Sequence, residues 1–80
     1  MKSAEMLAAE YPITMMPIPA ADGGGYYAYC DKFPGLLGDG ATMDQAAADY
    51  RAVLVSVIED RLASGTVLPS IDDPLIRIAR

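Results

Sequence analysis

The sequence predicts a small α+β domain in which an antiparallel sheet carries one long helix packed on one face, in the order β-β-β-α-β, preceded by a short N-terminal helix or arm. Three observations lead there. Short runs rich in aromatic and branched residues, punctuated by proline and glycine, occupy the first half of the chain. A stretch with apolar residues at intervals of three and four, opened by a capping pattern, runs from 43 to 64. Residues 75–80 return to strand-like alternation.

Residues 3–10 are good helix formers, with Ser3 placed as an N-cap and Glu5 in the favourable first turn. Pro12 stops any helix, so this piece is one or two turns or a frayed arm. Residues 11–18 read as a first strand, in which Pro12 and Pro17, each lacking a backbone donor, favour an edge position or strand ends. Its inward face stays open: Ile13 and Met15 compete with Met16 and Ile18. Residues 20–25 form a hairpin loop, since Asp22-Gly23 suits the positive φ of a tight reversal. The second strand, 26–30, puts Tyr26, Ala28 and Cys30 on one face and Tyr27 and Tyr29 on the other.

Phe33-Pro34-Gly35 makes a type II corner, with Pro34 fixing φ and Gly35 taking the left-handed position. Leu36 and Leu37 begin a short third strand that Gly38-Asp39-Gly40 ends. Thr42 and Gln45 form a capping box for the helix, whose core stripe is Ala46, Tyr50, Val53, Leu54, Val57, Ile58 and Leu62. Asp49, Arg51, Glu59, Asp60 and Arg61 mark its wet side, and Gly65 is a natural C′ residue. The last strand, 75–80, follows a loop containing Pro69 and Pro74.

Eighty residues support one domain, 1–80, with 1–10 as arm or short helix and 11–80 as core. A domain of this size buries only about 60–65% of the surface its unfolded chain exposes, so a homo-oligomer, dimer or higher, is expected. The net charge is −5 and the six basic residues are scattered, which argues against direct nucleic-acid binding by this chain alone; the acidity either only keeps the chain in solution or favours a basic protein partner. A chain with one cysteine and no histidine cannot form an internal disulfide, a Cys/His zinc site or a His-based catalytic triad. No apolar run approaches the length of a membrane span, and a cytoplasmic location fits.

The glycine run 23–25 is followed by a strand, so no helix N-terminus is available to cradle phosphate and no cofactor is expected. Asp22, Asp31, Asp39, Asp44 and Asp49 are the candidates for a metal-dependent nuclease, but each has a local role in a turn, a helix start or a polar face. The expectation is therefore a chain that is not an enzyme and carries no metal. Tyr27 and Tyr29 either cover the second face of the sheet or form a partner-binding face, because tyrosine joins large contact area to a polar tip. Asp31 lies beside them at the corner, and Phe33 is either a core plug or an exposed anchor. The partner-binding residues expected from this reasoning are Tyr27, Tyr29, Asp31 and Phe33.

The run from Gly23 to Ala46 resembles the N-terminal domain of the HicB family of antitoxins, whose pattern there is glycine, aromatic, apolar alternation, x-Pro-Gly and then Gly-x-Thr-x-x-x-Ala. In element order the resemblance covers about 11–73. The family often has Pro-Asp-Leu-Pro-Gly-Cys where this chain has Asp31-Lys32-Phe33-Pro34-Gly35-Leu36, and Gly-Asp-Thr or Gly-Glu-Thr where it has Gly40-Ala41-Thr42. These departures sit on the rim of the corner and bear on partner specificity more than on fold. The resemblance implies a partial RNase H-like fold and an antitoxin of a type II toxin-antitoxin system. Such a module neutralises a small basic HicA-type mRNA-cleaving toxin by occluding its active site. Many members add a C-terminal DNA-binding segment, and none is expected here. The alternative is an orphan HicB-like structural or regulatory domain that self-associates through a sheet edge or its tyrosine face. A residual nuclease is a third.

Overall fold

A computed structural model describes residues 3–70. The elements are α1 (Ala4–Glu10), β1 (Thr14–Pro17), β2 (Tyr26–Tyr29), β3 (Gly38–Gly40) and α2 (Met43–Ser64), with a 3-10 turn at Ala20–Asp22. The strands form one antiparallel sheet in the order β1-β2-β3, and α2 packs across one of its faces. This is the α+β arrangement expected. The strand expected over 75–80 lies outside the described residues.

Ser3 caps α1 by accepting a hydrogen bond from the Met6 amide at 3.2 Å. Ala4 and Ala8 lie on one side of this helix and are buried where it packs against α2. The N-terminal piece is thus a formed helix of nearly two turns. Its stability comes from docking, since a helix this short does not hold alone in water.

The register settles the inward face of β1. Met15 pairs with Ala28 and packs with Ile13 against the core, whereas Thr14 and Met16 pair with Tyr29 and Tyr27 on the outer face. The Ile18 amide donates to the Gly25 carbonyl at 2.8 Å, extending the ladder to the loop. There, Gly23, Gly24 and Gly25 all have positive φ.

The third strand is shifted from its expected place. Leu36 and Leu37 precede it, and the glycine-bearing segment Gly38–Gly40 is itself the strand. The reason is steric. A Cβ on Gly38 would lie 2.5 Å from the Tyr50 nitrogen, and one on Gly40 would lie 2.6 Å from the Ala46 nitrogen. Strand propensity favours leucine, but only glycine lets the α2 backbone come this close.

Helix α2 has the expected bounds. Thr42 accepts from the Gln45 amide at 3.1 Å, while the Gln45 side chain reaches past the cap residue to accept from the Ala41 amide at 3.0 Å. At the other end the Gly65 and Thr66 amides donate to the Leu62 and Arg61 carbonyls, a Schellman ending. Its buried row is Ala46, Tyr50, Leu54 and Ile58, each four residues from the next. Val57 is partly covered, but Val53 and Leu62, expected in the stripe, are 37% and 50% exposed. Strands of three or four residues cover only a narrow strip of the helix, so flanking apolar positions stay wet. On the expected wet side, Asp49 turns back and accepts a 2.9 Å hydrogen bond from the Asp39 amide, occupying a donor of edge strand β3.

Tyr50 is fully buried, and its hydroxyl has no hydrogen-bond partner among the described residues. Burial pushes its pKa up to about 12, the Cys30 thiol adds to the rise, and the Cys30 backbone lowers it slightly without being placed to complete a hydrogen bond. The neutral phenol is the form the core accepts.

Two predictions follow from these contacts. Gly38→Ala should lower the unfolding free energy in urea by about 1–3 kcal/mol. A change below about 0.5 kcal/mol would show that α2 does not need the bare backbone. Because the folded pKa of Tyr50 lies above the unfolded value of 10.0, its contribution is complete below pH 10 and is lost as pH rises toward about 12. Up to that pH the loss amounts to on the order of 2 kcal/mol. Tyr50→Phe should be close to neutral at pH 7 and should lose less stability than the parent between those limits; parallel alkaline losses in both proteins would contradict the assignment.

Candidate functional site on the outer face of the sheet

The face of the sheet turned away from α2 carries the concave region of interest. Tyr27 and Tyr29 share this face by strand alternation, and their rings stack with centroids 6.0 Å apart and planes 28° from parallel. Asp39 pairs with Tyr27 across the β2–β3 ladder and so points to the same side. Beyond β2 the chain turns twice: the Phe33 amide donates to Cys30 at 3.1 Å, and the Leu36 amide donates to Phe33 at 3.3 Å. The second is the type II corner, with Gly35 at φ 91°. This double turn folds Asp31, Leu36 and Leu37 around the end of the sheet and closes a groove of about 830 Å³.

Of the four expected partner-binding residues, Tyr27, Tyr29 and Asp31 converge on this groove, half-buried in the case of the tyrosines and exposed in the case of the acid. Phe33 takes the plug alternative. It borders the groove but is only 1% exposed, so it cannot serve as a projecting anchor. Ile18, Leu37 and Asp39 also line the groove and are not among the partner-binding residues expected from the sequence. The usable signal for Asp39 was the hairpin register that sets it opposite Tyr27.

The Phe33 ring is held from two sides. Tyr11 meets it edge-on at 4.9 Å, and the Arg61 guanidinium lies 5.2 Å from its centroid. Arg61, expected on the wet side of α2, is therefore half-buried over an aromatic face, where its stem shields apolar surface. Tyr11 is anchored by its hydroxyl, which donates to the Pro69 carbonyl at 2.6 Å. Burial raises the Tyr11 pKa, with Cys30 and Glu10 adding to the effect and Arg61 opposing it.

Of the acids considered for metal chemistry, Asp31 and Asp39 both line the groove and the other three lie elsewhere. Asp22 sits in the 3-10 turn, Asp44 in the first turn of α2, and Asp49 is bound to the β3 backbone. Among the described residues no group of three side chains is arranged to ligate a metal ion. Nor is any helix among them long and apolar enough to cross a membrane. What the outer face offers is a surface: two stacked rings, apolar walls and two carboxylates.

The chain is similar to the UPF0150 protein ssl0738 of Synechocystis sp., with 42% identity over 45 residues, which is 56% of this chain and 62% of the relative. This chain thus spans less than two thirds of the relative's length. No family model matches the chain, and no solved structure matches it.

Arg61→Ala should lower stability by about 0.5–2 kcal/mol and loosen the corner, seen as faster hydrogen exchange at the Phe33 and Leu36 amides. Unchanged exchange at those amides would assign the corner's order to Tyr11 alone.

Proposed function

We propose that this chain is an antitoxin-like binding module of a type II toxin-antitoxin system, which neutralises a small basic mRNA-cleaving toxin of the HicA type by covering its active site. The observation that carries the reading is the groove on the outer face, where Tyr27, Tyr29 and Asp31 come together. Tyrosine pairs of this kind supply contact area at low entropic cost, and a groove bounded by a rigid sheet and a pinned corner needs little reordering to bind. A net charge of −5 adds attraction toward a cationic partner and speeds encounter. The HicB-like run from Gly23 to Ala46 is the sequence ground for this assignment. In this role the chain performs no chemistry and needs no cofactor, and it works in the cytoplasm beside its target.

Self-association is the second reading, favoured by one feature. Strand β1 lies at the margin of the sheet and has no further strand paired to it among the described residues, so a copy of the chain could add there.

Co-expression with a small basic ribonuclease encoded by a neighbouring gene should give a complex that survives gel filtration and suppresses RNA cleavage. Tyr29→Ala should weaken that complex about tenfold or more. Failure of any such protein to co-purify, together with a dimer in light scattering, would replace the antitoxin reading with self-association.

A further inference from the structure

We infer that the outer groove is an arginine-recognition site, in which a guanidinium from a protein partner lies against the Tyr27–Tyr29 pair between the carboxylates of Asp31 and Asp39. The inference rests on the reading that this face binds a basic protein, and it names the chemistry that does so.

The charge pattern of the groove is one-sided. Asp31 and Asp39 both line it, both are exposed, and no lysine or arginine is among the lining residues. The backbone amide of Asp39 is already engaged by Asp49, which fixes the strand beneath while leaving the Asp39 side chain on the outer face opposite Tyr27. A phosphate or other anion would meet two negative charges there and only aromatic or apolar walls between them. A cation meets attraction at both rims and the electron-rich outer face of a stacked ring pair in the middle.

Shape selects among cations. Tyr27 and Tyr29 stack on each other with planes 28° apart, so the wall they offer to a third planar group is the outer ring face of the pair. A planar guanidinium stacks on such a wall and still directs N–H donors sideways toward carboxylates, as a compact, strongly hydrated ammonium does not. Leu37, 61% exposed, and Ile18 line the same groove and supply apolar surface for the methylene stem. The occupant that satisfies rings, acids and apolar lips together is an arginine side chain on an accessible segment of the partner.

The test is a titration of the chain with acetyl-Gly-Arg-Gly-amide, followed through the ring resonances of Tyr27 and Tyr29, against the lysine and citrulline versions of the same peptide. The arginine peptide should shift both rings saturably, the lysine peptide should bind more weakly, and the uncharged citrulline peptide about tenfold more weakly. Asp31→Asn and Asp39→Asn should each weaken arginine binding about threefold, whereas Asp60→Asn, which removes the same charge from α2 outside the groove, should leave it unchanged. Equal binding of arginine and citrulline, or an Asp60→Asn effect as large as that of the groove variants, would overturn the inference. The same variants assayed on a co-purified basic partner separate this inference from the proposed function. A partner bound equally by the parent and by the Asp31→Asn/Asp39→Asn double variant keeps the antitoxin reading and removes the arginine site. Arginine-selective peptide binding with no basic partner does the reverse.

Discussion

The backbone of α2 rests on the backbone of β3, with Gly38 under Tyr50 and Gly40 under Ala46 at distances that leave no space for a side chain. Close approach of this kind places the buried row Ala46, Tyr50, Leu54 and Ile58 directly over Ala28 and Cys30, so a few side chains suffice to fill a thin core. Burying each large apolar group of that row contributes about 1.5–3 kcal/mol, a large share of the stability a domain this small can have. The same contact commits one face of the sheet to the helix and leaves the other for surface chemistry.

The groove follows from that division. Alternation along β2 sends Ala28 to the core and Tyr27 and Tyr29 outward, and the β3 register adds Asp39 beside them. The corner completes the wall because Phe33 is drawn into the core between Tyr11 and Arg61, which pulls Asp31, Leu36 and Leu37 around the strand end. Residues far apart in sequence therefore hold one surface in shape. Tyr11 and Arg61 are not among the residues that line the groove, yet they position its rim by positioning Phe33.

Much of this was legible before any coordinates, and the parts that were not share a cause. Local chemistry reads well: Ser3 and Thr42 cap their helices, Gly65 ends α2, and Pro34-Gly35 turns the chain as their backbone preferences dictate. Tertiary overrides do not. The place of β3 could not be read because leucine outranks glycine as a strand former, and only the approach of a helix reverses that order. Val53 and Leu62 belong to the apolar periodicity of α2, but how much of a helix is covered depends on strand lengths elsewhere. Arg61 looked like a solvent-facing cation because no local pattern announces an aromatic ring arriving from a loop 28 positions earlier in the sequence. At the site, the tyrosines and Asp31 were visible from alternation and adjacency, whereas Asp39 required the β2–β3 register, which is a non-local fact.

The proposed function puts the partner-binding surface on the outer face of the sheet, opposite the helix. Hydrogen-exchange footprinting of the chain alone and bound to its co-purified basic partner tests it most directly. Binding there should give protection at Tyr27, Tyr29, Asp31, Leu37 and Asp39 and leave the amides of α2 unchanged. Protection confined to α1 or to the exposed side of α2 around Glu59 and Asp60 would contradict it.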